Sequence, residues 1–372
     1  MLFEQCSGRM FQLLSWVGYT LEFPKQLASR IGQDPGWSRH VMYRAVREGY
    51  LEVYRKETPG RVITSLRITD KGLEYIAVRS PEAYLTLLAR AQEVPRSAHT
   101  GPDRILRYHS FASAMVMAHN AGAAVLPEDK PPLTLGEYER HAVPADPQAC
   151  YFYSTAEIRT AIQEYAPDIA AKGSRIAGAL VHGGDCFCIY DAGRSRVFWM
   201  RATEENFAGT VQSLLNLRGF RIRTLRQAVI GDRMSVAAKL CRKSSYRGTR
   251  YFVPSNFFNN CYFLPNSRDG DRQMRAMWDA GAAAVYERRA LRGCRPPDEP
   301  TREYDAVDCA EGRPVILNFL CDLLTVPGIN FAPAGFEDPP IILCFDHQAD
   351  VLRQLVGSLA EVRGIGGTEP DG

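Results

Sequence analysis

The stretch SRHVMYRAVREGYLEVYRKETPGRVITSLRITDKGLEYI, residues 38–76, changes its hydrophobic period partway along and so decides how the chain begins to fold. Up to Gly49 the period is helical. At about 100° per residue, Val41, Met42, Ala45, Val46 and Gly49 share one arc, and Arg39, His40, Tyr43, Arg44 and Arg47 share the opposite one. One face suits a core; the other is cationic around a tyrosine, with Glu48 near its edge as the only offset. From Leu51 the period is two. LEVYRK alternates, ETPG supplies turn chemistry, and RVITSLRIT alternates again with Val62, Thr64, Leu66 and Ile68 on one side. TDKGLEYIAVR then reads as a strand end handing over to a capped helix.

Working outward, RMFQLLSWVG carries apolar residues at helical spacing, and FPKQLASRIG predicts a second helix with Pro24 in its first turn. The turn DPGW leads into the quoted helix, with Ser38 as N-cap or as an early-turn phosphate contact. Three helices followed by a β-hairpin form the winged helix-turn-helix arrangement, and LRITDKGLEYI resembles the segment that ends the wing in many bacterial members. In such a module the outward arc of the third helix is spaced for a major groove. Ser38, Arg39, His40, Tyr43, Arg44 and Arg47 are therefore expected to contact duplex DNA, with Arg55, Lys56 and Arg61 at the wing tip reaching flanking phosphates. The same charges on a module used for protein contact would simply be solvated.

The rest of the chain sets bounds. Its 372 residues allow two or three domains, and a net charge of +3 means that any basic function must come from local clustering. The ten cysteines form no C-x-x-C; eight are scattered singly, while Cys186 and Cys188 are spaced as neighbours on one face of a strand, so reduced thiols in a cytoplasm are expected. The histidines lack ligand spacing (His109 and His119 are ten apart; His40, His99, His141, His182 and His347 are isolated), and no metal site or cofactor is expected. MLFEQCSGRM lacks a cationic segment followed by an apolar one, so no secretory signal is expected. HSFASAMVMAHNAGAAVL, broken by two histidines and an asparagine, reads as a buried helix and not a membrane span.

PEAYLTLLARAQ continues helically, EVPRSAHTGPD has the composition of a linker, and RILRYHSFASAMVMAHNAGAAV gives a long helix. A proline-rich loop follows, then a helix in AEIRTAIQEYAPDIA, a strand pair in RIAGALVHGG and DCFCIYDAG, a strand in RVFWMRA and a helix in ENFAGTVQSLLN, which indicates an α/β or α+β domain. The order of winged helix, long histidine-containing helix, strand pair and helix over residues 9–215 resembles the replication-relaxation family of plasmids and integrative conjugative elements. That resemblance implies a winged helix joined to a PD-(D/E)XK nuclease-like core, in which paired carboxylates hold a divalent ion that activates water. Laid onto this chain, the expected acids fall on Gly178 and Ile189, with Asp191 nearby; Asp185, Glu204 and Glu205 are the other candidates, and carboxylates at turns and helix starts more often cap. No catalytic residue is assigned.

A second basic patch lies in RGFRIRTLRQAVIGDRMSVAAKLCRKSSYRGTR, including Arg218, Arg221, Arg223, Arg242, Lys243, Arg247 and Arg250, with Asp232 its one acid. It suits backbone contact to nucleic acid, unless the arginines merely alternate on a solvated strand. QAVIGDRMSVAAKLC reads as strand, Gly231, N-cap Asp232 and helix, short of a phosphate-loop fingerprint. TRYFVP and NNCYFLPN predict strands, DRQMRAMWDAGAAAVYERRAL one helix, and PPDEPTREYDAVD a loop. RPVILNFLCDLL and PPIILCFD are runs typical of buried strands, the latter followed by the helix QADVLRQLVGSLAEV with Asp346 and His347 at the junction.

The resulting expectation is a winged helix at residues 1–95, a nuclease-like α/β core at 104–225, a C-terminal α/β region at 226–363 and a flexible tail at 364–372. Functionally, it is a cytoplasmic, non-catalytic DNA-binding protein of a mobile element, with double-stranded DNA and replication or conjugation proteins as partners, a homodimer if paired half-sites are read, and no membrane association. The alternatives are a metal-dependent nuclease or nickase with displaced carboxylates, and a ligand-sensing transcription regulator.

Overall fold

A computed structural model describes residues 2–31, 35–92, 101–134, 146, 148–165, 174–194, 200–241, 252, 254–299, 301, 303–325 and 336–368. The fold is mixed α and β, with three sheets, and no helix among the described residues is long and apolar enough to cross a membrane. Contacts divide it into two compact units, Met1–Asn120 with Val125–Pro131, and Ala121–Ala124 with Pro132–Gly372.

In the first unit, α1 (Leu2–Thr20) buries Leu13, Leu14, Trp16 and Val17 and ends where Leu21 turns left-handed, at φ 64°. The expected second helix is a short strand, β1 (Phe23–Pro24), and a 3-10 turn, Lys25–Arg30. Helix α2 (Pro35–Arg47) starts three residues ahead of Ser38, so Ser38 is not its N-cap. Strands β2 (Leu51–Thr58) and β3 (Arg61–Ile68) pair antiparallel about the Pro59–Gly60 turn, and β1 adds to the far edge of β3. Thr69 caps α3 (Asp70–Arg79), accepting the Gly72 N–H at 3.1 Å. Gly72 is needed there because the Tyr50 carbonyl occupies the space a Cβ would fill. Helix α4 (Pro81–Gln92) follows.

The long helix α5 (Pro102–Asn120) belongs to this unit and does not open the second domain. His109 Nε2 lies 2.8 Å from Ser65 Oγ on β3, His119 meets Trp16 edge-on at 4.6 Å, and Asn120 Nδ2 donates to the Arg30 carbonyl at 3.1 Å. Ile63 and Ser65, on the opposite face from Leu66, are buried too. Both faces of the hairpin are thus covered near its base.

The second unit is built on two five-stranded sheets. In the first, β4 (Cys150–Ser154), β5 (Ile176–His182) and β6 (Asp185–Gly193) run antiparallel, then β7 (Thr224–Gly231) and β8 (Cys261–Pro265) run parallel to β6. Helices α6 (Thr155–Tyr165), α7 (Arg201–Leu217) and α8 (Ser235–Cys241) connect them. Because α7 returns the chain to the same sheet, the expected boundary at residues 225/226 cuts through β7 and is no domain boundary. The predicted RVFWMRA strand lies mostly outside the described residues, as does TRYFVP; Arg201 and Ala202 are already helical.

The single helix expected after β8 is two, α9 (Arg268–Trp278) and α10 (Ala280–Ala290), broken at Asp279, whose carboxylate caps α10 by accepting the N–H groups of Gly281 and Ala282. The second sheet has the order β13-β12-β11-β10-β9, from β9 (Cys294–Arg295), β10 (Ala306–Asp308), β11 (Pro314–Leu317), β12 (Ile341–Cys344) and β13 (Glu361–Gly364), with α11 (Asp346–Val356) crossing between β12 and β13. Buried amides tie the two sheets: Gln273 Nε2 donates to the carbonyls of Phe263 and Leu320, and Gln348 Nε2 to Gln273 Oε1 and the Phe319 carbonyl. Residues 364–368 are not a free tail. Gly364 pairs with Cys344, Tyr286 donates to the Thr368 carbonyl at 2.9 Å, and Thr368 Oγ1 donates to Asp269 at 2.6 Å.

Candidate nucleic-acid interface

Helix α2 divides as its sequence period predicts over most of its length, though Val46 is half-buried and Gly49 lies exposed beyond its end, at φ 77°. Val41, Met42 and Ala45 are buried, while Arg39, His40, Tyr43 and Arg47 are exposed, Tyr43 at 57%. Arg44 is less available: its Nε donates to Glu48 Oε1 at 2.7 Å, one helical turn on. Ser38 is not a surface contact. It is buried and donates to the Ile31 carbonyl at 2.5 Å, so its hydroxyl fastens the start of α2 to the preceding turn. Lys25, a cation the sequence reading did not include, stands 5.8 Å from the Tyr43 ring centre; nothing in the sequence period marks it, since it lies on another element.

The hairpin cations split between faces. Arg55 pairs across from Thr64, and Lys56 from Ile63, so adjacent side chains point to opposite sides; Arg61 shares the side of Lys56 and Ser65. Arg55 and Arg61 are exposed and Lys56 is half-buried. On that second side His109 is held neutral, its pKa pushed down to about 4 by burial and then by the Arg61 charge.

The second patch comes apart. Arg242, Lys243, Arg247 and Arg250 lie outside the described residues. Arg218 is buried, its Nε donating to the Leu133 carbonyl and its guanidinium lying 4.6 Å from the Tyr165 ring centre. A tight helix end draws it inward and removes it from any surface. Arg226, of the same stretch, is half-buried and binds the Tyr262 hydroxyl at 3.1 Å and Asp185 at 3.4 Å. Arg221, Arg223, Arg233 and Lys239 are the exposed cations among the described residues of this stretch, and Arg221 holds a left-handed backbone, φ 53°, at a cost of about 1–2 kcal/mol for a residue with a Cβ.

The positions where a nuclease core would carry its acids are Gly178 and Ile189, and they pair directly across β5 and β6. A Cβ at Gly178 would stand 2.7 Å from the Tyr153 carbonyl oxygen and meet the Phe152 ring, so no longer side chain fits; Ile189 is fully buried. The nearby acids are each occupied separately. Asp191 accepts the Gly193 N–H at 2.8 Å, Asp185 faces Arg226, and Asp232, expected as an N-cap, pairs with Arg194 at 2.9 Å. Glu204 is buried, accepting from Ser174 Oγ at 2.7 Å and the Arg175 N–H at 2.8 Å, and burial raises its pKa against those bonds. Glu205 takes Arg201 at 2.6 Å and the Ser255 hydroxyl at 2.5 Å. These groups do not converge on one point, and among the described residues no three metal-ligating side chains do.

At the junction of β12 and α11, Asp346 Oδ1 accepts the Gly366 N–H at 3.1 Å, and the His347 ring stacks on Phe345, 5.8 Å between centres. Burial lowers the His347 pKa against the charges of Asp269 and Asp346. Asp346 thus fastens the C-terminal segment, and His347 packs on Phe345. Comparison of the chain with family models, with curated proteins and with solved structures returns no match, so the chemistry of these sites rests on their own residues.

Proposed function

We propose that the first unit is a winged helix-turn-helix module that binds duplex DNA, with α2 as the recognition helix and the β2–β3 hairpin as the wing, and that the chain is a non-catalytic DNA-binding protein. The observation that carries this reading is the division of α2: Arg39, His40, Tyr43 and Arg47 are exposed on one side while Val41, Met42 and Ala45 fix the other in the core. A helix anchored in this way presents guanidinium forks at a spacing that fits base edges in a major groove. The hairpin, with Arg55 on one side and Lys56 and Arg61 on the other, supplies charges for flanking phosphates. A role in plasmid-type replication or conjugative DNA processing rests on the resemblance to the replication-relaxation family, and a cytoplasmic setting on the scattered cysteines.

Selection of bound duplexes from a random pool, followed by anisotropy titrations across a salt series, tests the reading. Arg39→Ala or Arg47→Ala is expected to cost about 1–3 kcal/mol on the selected duplex and much less on an unrelated one, whereas Arg61→Ala weakens both alike and lowers the salt slope by about one. Arg44→Ala has the smaller effect of the helix arginines, because Glu48 already holds that guanidinium. Small, equal losses for all of them on every duplex would refute the assignment.

A further inference from the structure

We infer that the second unit holds a binding site for a small organic anion, an apolar or aromatic body ending in a phosphate or carboxylate, at the edge where α7 returns to the sheet. A cavity of about 560 Å³ opens there, walled by Tyr151, Val181 and Phe220 and rimmed by Gly184, Arg221 and Arg223. That volume is in the range of small-molecule sites, roughly 300–1,000 Å³, and apolar walls with a few charged groups at the mouth are their usual composition.

The two arginines are placed by the fold. Gly219, at φ 87°, ends α7 and swings Phe220 inward, where its ring meets Tyr151 and Tyr153 edge-on at 6.1 and 5.9 Å. Phe220 and Ile222 are both buried, and the left-handed Arg221 between them is left exposed at the rim. Arg223 is anchored through its backbone N–H, which donates to the Gly184 carbonyl at 2.8 Å. Its guanidinium lies over Gly184 so closely that a Cβ there would be 2.9 Å from Nε.

Neither Arg221 nor Arg223 has a carboxylate partner among the described residues, whereas Arg226, three residues on, is paired with Asp185. Asp146, on the same wall, accepts the Gln148 N–H at 2.9 Å through its Oδ1, and its negative charge offsets one of the two arginines. Two guanidinium groups with no carboxylate bound to them, outnumbering the one acid at the mouth of an apolar cavity, match an anionic head with an apolar body behind it. Between residues 218 and 226 the neighbouring cations do not extend the pair, because Arg218 is buried and Arg226 is held by Asp185. The site does not depend on DNA binding by the first unit.

The test is thermal-shift and calorimetric titration of the full chain with deoxyadenosine monophosphate, indole-3-acetate, octanoate, inorganic phosphate and a short single-stranded oligonucleotide. At least one of the three amphipathic anions is expected to raise the Tm by several degrees and to bind at least tenfold more tightly than inorganic phosphate; the phosphate and carboxylate arms identify the head group. Arg221→Gly removes the guanidinium and accepts the left-handed backbone, so it is expected to leave the Tm unchanged or raised while weakening the anion at least tenfold, and Arg223→Ala to weaken it likewise. No binding by any amphipathic anion, binding undiminished in both variants, or binding of the oligonucleotide alone would overturn the proposal.

Discussion

His109 gives the most direct test of how the first unit is held together. It sits on α5, its Nε2 2.8 Å from Ser65 Oγ on β3, and so joins the long helix to the hairpin. Burial, reinforced by the nearby Arg61 charge, moves its pKa from 6.5 to about 4. A histidine depressed in the folded state contributes stability above its unfolded pKa of about 6.5, loses it as the pH falls, and has lost it fully near the folded value. Between pH 7 and pH 5 the unfolded chain gains about 0.7 of a proton at this ring and the folded chain about 0.1, so stability falls by about 2 kcal/mol. Part of the ring faces solvent, which makes this an upper figure. Urea unfolding at the two pH values, followed by a signal from the first unit such as Trp16 fluorescence, measures the loss. His119, on the same helix and also depressed by burial, contributes a loss of the same sign, so His109→Gln is the necessary control. Glutamine keeps a polar group opposite Ser65 but cannot titrate, and the variant is expected to lose about 2 kcal/mol less than the wild type over that interval. Equal losses in both proteins would refute this account of the α5–β3 contact.

Two further outcomes follow from particular contacts. Gly72→Ala drives a methyl against the Tyr50 carbonyl and the Ile68 side chain and is expected to destabilise the first unit by about 2–3 kcal/mol, read as a lower urea midpoint for its transition. Glu361, held down to about pKa 2 by hydrogen bonds from Arg363 and Arg313, supports the second sheet above the ordinary carboxylate pKa and ceases to as the pH falls toward 2; Glu361→Gln should remove that share of the acid-induced loss, seen by circular dichroism, while altering neutral-pH stability only slightly because the carboxylate is exposed.

Signals in the sequence are legible where the physics is local. The switch of period at residue 50 marks the passage from α2 to the hairpin, and Thr69 with Gly72 marks the start of α3, because caps and close backbone approaches are written in single residues. The partners of each element were not legible. Nothing in RILRYHSFASAMVMAHN states that its histidines face β3 and α1, so the helix is easily assigned to the domain that follows. Alternation in β3 predicts one buried face, yet Ile63 and Ser65 are buried on the other, because α5 arrives from some forty residues further on. Asp279 interrupts a strong helical pattern with a cap, and Ser38 turns its hydroxyl back to Ile31, where proximity to a helix start suggested a ligand. The cavity beside Arg221 is assembled from β4, β5, and the α7–β7 connection, a conjunction that no short motif records.

The arginines of the first unit fall into two groups, and the division bears on what the unit does. Arg44 is held by Glu48, Arg67 by the buried Glu22, Arg79 lies 3.5 Å from the Tyr75 ring centre, and Arg90 donates to the Tyr19 carbonyl at 3.4 Å. Each of these has internal work that explains its presence. Arg39 and Arg47 are exposed on α2 without a carboxylate partner among the described residues. Two helical turns apart, these two charges repel each other only weakly, and they add nothing to the core beneath. Arg47, in the last turn, also favours the helix end, and among the described residues neither arginine has an internal carboxylate to hold it, so an anionic partner would have to be external. A polyanion is such a partner, because it turns the same repulsion into attraction at every charge it meets. A protein partner of ordinary composition would do so only with an acidic patch of matching spacing, which is why salt dependence on DNA is the discriminating measurement.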